Sequence, residues 1–231
     1  MAIARSFPRL FPILLITAPL LCCGCESLTR GRAQKVDLST PKSAALDYLK
    51  AVQRGDAATA KAASMGTAEQ LRWVDGLAGM VGGMRKFDAA LFAKFGPVIG
   101  QAHVDMHDAL HALADEPVEL VEQGSEIIDG EEAKIDFPRK GFTAHSQPVY
   151  RLGHGKEGWK MNLPATYAPY PPQQLPMRLP EVTASFRRYE EIGGAFRASA
   201  ADVMANRFHS PEEAERALGE RIRELMKNAS R

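Results

Sequence analysis

The apolar residues of this chain change period twice, and those changes constrain the fold more than any single motif. Up to about residue 114 they recur at three- and four-residue spacing, the mark of amphipathic helices. From Val118 to Leu163 they alternate, as in half-buried strands; beyond Pro180 the helical spacing returns. Helices, then contiguous strands, then helices again define an α+β chain with no βαβ units. Because the strands follow one another through short turns, an antiparallel sheet is predicted.

Helix boundaries are signalled locally. Thr40 caps a helix opened by Pro41, with Ala44, Ala45, Tyr48, Leu49 and Val52 on one face and Gly55 as its stop. Asp56 restarts a short Ala-rich helix ending near Gly66. Thr67 and Gln70 stand at capping-box spacing before a long helix that runs to Phe95 and ends at Gly96-Pro97. A further helix is expected over 98–114. Strands are expected at Val118–Val121, at the hairpin around Asp129-Gly130, at Tyr150–Leu152 and at Trp159–Leu163. Six of the 15 prolines fall between Pro164 and Pro180, which predicts an extended strap without regular structure. Two helices close the chain. The first carries Val182, Phe186, Tyr189, Gly193, Phe196, Ala200 and Val203 as a narrow stripe, suited either to packing within the chain or to a second copy or another protein. The second is announced by Ser210-Pro211-Glu212-Glu213.

This order resembles that of the NTF2-like superfamily, cone-shaped α+β domains in which a curved sheet wraps a long helix. The matching pieces are the helix Ala44 to Asp56 ending in Arg54-Gly55-Asp56, the hairpin Glu126 to Ala133, and the strand Gly158-Trp159-Lys160, together covering residues 41–163. The resemblance implies N-terminal helices packed on a curved antiparallel sheet, with residues 181–231 as a C-terminal helical extension. It implies either a binding module without chemistry or an isomerase- or hydrolase-type pocket enzyme acting on a small hydrophobic molecule. Fold membership does not choose between them. In the pocket reading, an acid or base stands at the mouth of the cone, and Tyr48, Asp75, His145, Tyr150 and Arg151 are the candidates.

The N-terminus carries an address. Arg5 and Arg9 precede an apolar run from Leu10 to Leu21, broken by Pro12 and Pro19 and too short for a membrane-spanning helix. It closes in Leu20-Leu21-Cys22-Cys23-Gly24-Cys25, which holds all 3 cysteines. The pattern resembles a bacterial lipoprotein signal, with cleavage after residue 24 and acylation of Cys25; Cys23 is the alternative. That resemblance implies a lipid-anchored envelope protein, with the outer membrane facing the periplasm favoured because Glu26, not Asp, follows Cys25. Residues 25–39 read as a polar tether, and 40–163 as the domain. Without the two signal arginines, 27 basic residues face 28 acidic ones, a balance that suggests neither a nucleic-acid binder nor a polybasic membrane-surface protein. No disulfide can support the cleaved chain, so a packed core must.

Three histidines, His103, His107 and His111, stand four residues apart on one predicted helix. Adjacent imidazoles at this spacing can chelate Zn, Ni or Cu, whereas all three cannot share one ion, the outer pair being about 12 Å apart along the axis. A solvated helix edge is the ordinary reading. No cofactor is implied. Gly76, Gly79, Gly82 and Gly83 within one helix lack the strand and the Gly-Lys-Ser/Thr of a phosphate loop, and point to close packing or a kink. Trp73 and Trp159 read as core anchors. Ser146 has no nucleophile-elbow context.

Overall fold

The computed structural model describes residues 34–97, 101–137, 149–168, 170–171 and 173–228, all within one compact unit, Gly31–Arg231. Cys23, Cys25, His145 and Ser146 lie outside the described residues. The structure is α+β, with a five-stranded open sheet covered on one face by helices.

The first helix, α1 (Pro41–Gln53), begins where Thr40 accepts a hydrogen bond from the Ser43 amide and stops before Gly55, whose φ is +72°. A short helix α2 (Ala57–Ala62) and a two-residue strand β1 (Ser64–Met65) follow. The long helix α3 (Ala68–Phe95) opens with the Thr67/Gln70 capping box and ends at Gly96. Next come α4 (Gln101–Leu110), a π-helical turn (His111–Asp115) and α5 (Glu116–Gln123). Strands β2 (Ser125–Asp129), β3 (Glu132–Asp136), β4 (Arg151–Gly155) and β5 (Gly158–Asn162) then form the sheet. Helices α6 (Leu163–Tyr167), α7 (Leu175–Met204) and α8 (Pro211–Asn228) complete the chain.

Strand order is β1-β5-β4-β3-β2. The four later strands pair antiparallel as expected, but β1 joins β5 in parallel, so the sheet is mixed rather than antiparallel throughout. Two residues are too few to show alternation, and no hairpin links β1 to its neighbour. Only the folded chain brings Ser64 beside Met161. Gly130 takes φ +61° as the first residue of the two-residue β2–β3 turn, which suits a type II′ hairpin. Ala133, Ile135, Leu152, Trp159 and Met161 are buried on one face, with the intervening strand residues more exposed except Gly153, which Met65 covers, the pattern of a sheet with one covered face.

The segment Val118–Val121 is helical, not a strand. Val118 and Val121 are both buried, and their separation of three residues places them on one side of a helix but on opposite sides of a strand. Pro117 sits in the first turn, where its missing N–H costs nothing. The proline-rich stretch likewise contains regular structure. Asn162 caps α6 through Oδ1 to the Ala165 amide (3.2 Å) with Pro164 in the first turn, and α7 begins at Leu175 with Pro176 in its first turn and the exposed Pro180 inside it. Prolines at helix starts are compatible with helix; among the described prolines of this stretch only Pro180 removes a bond that the ladder would otherwise have.

Helix α1 lies on the sheet, α3 packs on α1, α7 on α3, and α8 on α7. The Val182–Val203 stripe is therefore used within the chain, and α7 is part of the core rather than an appendage to it. Helices α3 and α7 run parallel, pairing Trp73 with Thr183, Gly83 with Gly193, and Lys94 with Asn206. Glycine makes the approach possible. A Cβ on Gly76 would lie 2.1 Å from the Phe186 carbonyl oxygen, and Gly82 meets Gly55 instead. Helix α8 docks through Ala214, Leu218 and an Arg221 guanidinium that reaches Ser199 Oγ (2.9 Å) and Asp202. Residues 34–39, the end of the expected tether, lie against this body, with Leu38 O accepting from the Trp159 amide at 2.9 Å. Among the described residues no helix is long and apolar enough to cross a membrane.

Candidate functional site

Between α1, α3 and α7, beside the π-helical turn, lies a cavity of about 340 Å³. Leu49, Val52, Leu77 and Tyr150 make its buried wall, while Ala112, Leu113, Val182, Ser185 and Tyr189 form a more exposed rim. Its volume is that of a small-ligand site. Three consecutive residues, Ala112, Leu113 and Ala114, line it. On a regular helix they would span about 200° of the circumference; the π turn, with the Glu116 amide bonded to His111 O, presents all three to one space. Asp115 anchors this turn. Its Oδ1 accepts from Arg85 Nη2 (2.6 Å) and Gln53 Nε2 (2.8 Å), while Arg85 Nε donates to Gln53 O (2.7 Å), joining α1, α3 and the turn.

The polar side chains lining the cavity are phenols and the Ser185 hydroxyl. Tyr48 and Tyr167 share a hydrogen bond of 2.8 Å between their hydroxyls, the Tyr48 ring being fully buried behind the wall and Tyr167 lining the cavity from α6. Tyr167 meets Phe186 edge-on at 5.3 Å, Phe186 meets Tyr189 edge-on at 5.6 Å, and Trp73 stacks on Phe186 at 5.3 Å with Nε1 donating to Thr183 Oγ1. Trp73 is thus a core anchor. So is Trp159, with His154 against its edge. Burial pushes the Tyr48, Tyr150 and Tyr167 phenols above the ordinary tyrosine range, and the mutual hydrogen bond reduces the rise only for Tyr48.

The sequence candidates are only partly brought together. Tyr48 and Tyr150 belong to this region. Asp75 is ion-paired with Lys61 of α2, and Arg151 lines a separate cleft of about 460 Å³ with Tyr170 and Leu175. Tyr167, Ser185, Phe186 and Leu113 were not legible as site residues: Tyr167 stands in the proline-rich stretch, Phe186 and Leu113 belong to helical faces that read as core, and Ser185 carries no motif. A charged cleft of about 360 Å³ at the start of α3 is lined by Glu69, Arg72, Arg187 and Glu190.

The histidine row is divided. His103 and His107 converge on Asp88 of α3, whereas exposed His111 faces Glu119 at 3.9 Å. Asp88, 15 residues before His103, had no local sequence signal. Comparison with known proteins finds no matching family model, no matching curated protein and no matching solved structure.

Proposed function

We propose that this protein is a lipid-anchored module of the bacterial cell envelope, with an NTF2-like cone that binds a small apolar molecule without transforming it. The observation that carries the binding reading is the 340 Å³ cavity, whose lining is aliphatic and aromatic apart from phenols and Ser185. Catalytic acids and bases are tuned toward the working pH. Here burial moves the tyrosines the other way, leaving hydroxyls that hydrogen-bond a ligand but do not readily give up a proton. The enzyme reading therefore ranks second.

The anchor rests on the N-terminal pattern ending in Cys25, with the outer membrane facing the periplasm as the favoured site. An envelope protein or a second copy remains the proposed partner of the C-terminal helices, through their outer faces, since the stripe of α7 is already occupied by α3.

Two measurements test these parts separately. Intact-mass spectrometry of protein purified from membranes should give cleavage before Cys25 plus acyl chains, and neither in a Cys25→Ser variant; an unlipidated wild-type product would remove the anchor. For the cavity, the apolar fluorophore N-phenyl-1-naphthylamine should bind saturably and quench Trp73, which stacks on the lining residue Phe186. Leu113→Trp, which fills the rim, should abolish that signal. Equal binding by this variant, with its fold intact, would overturn the cavity reading.

A further inference from the structure

We propose that Asp88, His103 and His107 bind one divalent first-row transition ion, Zn²⁺ above all, and that His111 takes no part. Asp88 projects from α3, and the two histidines from successive turns of α4. Asp88 Oδ1 lies 3.2 Å from His107 Nε2 and 3.5 Å from His103 Nδ1, and the three donor atoms all fall within 4.8 Å of one another. Ligands bound tetrahedrally at ~2.0–2.1 Å stand about 3.3 Å apart, so two edges of the required polyhedron are already present. Closing the third takes a rotation of the His107 side chain, which is half exposed.

The hydrogen bonding supports the same assignment. Asp88 and His107 are within hydrogen-bond reach of each other, but His103 Nδ1 is buried and has no hydrogen-bond partner among the described residues despite its approach to Asp88. A buried ring nitrogen left this way is destabilising. An ion placed among the three atoms satisfies the orphan nitrogen, the carboxylate and His107 together. Two imidazoles and a carboxylate match the preferences of Zn²⁺, and the exposed side of His107 leaves the fourth position to water. His111 is excluded by its place one turn further on, at the start of the π turn and facing Glu119.

Such an ion has a structural consequence. Among its described side chains α4 buries only Met106 and Leu110, so the ion would tie a lightly packed helix to the central one.

Calorimetric titration of Zn²⁺ into protein carrying no polyhistidine tag, together with melting curves with and without Zn²⁺, tests the proposal. We expect one ion per chain and a melting temperature that rises with Zn²⁺. Loss of a second-shell partner already costs metal sites ~10–100-fold in affinity, so Asp88→Asn and His103→Ala should each cost at least that much, while His111→Ala changes nothing. Circular dichroism checks that each variant is folded. Absence of binding by the wild type, binding that survives both Asp88→Asn and His103→Ala, or binding lost in a folded His111→Ala would each overturn the site.

Discussion

Gly83 of α3 and Gly193 of α7 meet backbone to backbone: a Cβ on Gly83 would lie 2.5 Å from the Gly193 carbonyl oxygen, and one on Gly193 would lie 2.4 Å from the Gly79 carbonyl oxygen. The two longest helices thus approach each other where neither carries a side chain. Phe87 and Phe196 close the next layer edge-to-face at 6.0 Å. Glycine within a helix costs about 1 kcal/mol relative to alanine, and here that cost is offset by packing that no larger residue permits.

Substitution within this run should therefore split by position. Gly83→Ala forces backbone apart and should destabilise the fold by about 1–3 kcal/mol. Gly79→Ala places its Cβ 3.6 Å from Arg197 Nη1, an ordinary contact, and should be neutral or stabilising by up to about 1 kcal/mol. Urea denaturation of the two variants measures the difference, and equal midpoints would contradict the close-contact reading.

The tyrosine pair should behave as a unit. Tyr48→Phe removes the 2.8 Å bond and leaves the Tyr167 hydroxyl without it, a loss of about 1–3 kcal/mol, and Tyr167→Phe does the converse. Replacing both removes the unmet hydroxyl as well, so the double variant should be less destabilised than the sum of the singles. A double-mutant cycle from denaturation curves reads this coupling; strict additivity would show that the hydroxyls do not interact.

Alkaline pH should unfold the protein through the same residues. The folded-state values of Tyr48, Tyr150 and Tyr167 are raised, so their contribution to stability is complete below the unfolded value of about 10 and is lost as pH rises toward the folded values. In a tyrosinate absorbance titration, these three should ionise together with loss of the near-ultraviolet circular dichroism. Tyr150→Phe should reduce the amplitude of that step; a titration complete before any unfolding would contradict their burial.

Glu215 of α8 supplies a pH test at the acid end. Its Oε1 is sealed without a hydrogen-bond partner among the described residues, and its carboxyl is raised by burial and then by neighbouring Glu212. A raised carboxyl favours the fold fully below the unfolded value of about 4.3 and loses that contribution as pH rises through the folded one. Glu215→Gln should accordingly gain less than about 1 kcal/mol at neutral pH, since the residue as a whole is only partly buried and solvent screens its charge. The advantage should vanish on acidification, as followed by thermal melts at both pH values; a gain independent of pH would assign it to packing instead.

Local chemistry determined much of this protein. Thr40-Pro41, the Thr67/Gln70 box, the Gly55 and Gly96 stops and the Asp129-Gly130 turn each act within a few residues, and each stands in the structure where the sequence places it. The wall of the helical body was legible too, because Tyr48 lies on a periodic apolar face and Trp73 reads as a core anchor. Other features depend on partners distant in the chain. The parallel pairing of β1 with β5 joins segments almost a hundred residues apart, and a two-residue strand has no period of its own. Val118 and Val121 are good strand formers that become helical because the body buries both on one side, so tertiary packing overrides a preference of less than about 1 kcal/mol. The cavity arises where a π turn, a helix in the proline-rich stretch and α7 converge, and Asp88 reaches the histidines only once α4 folds back on α3. Caps and turns are written in neighbouring residues; pockets and ligand clusters are set by which helices pack together.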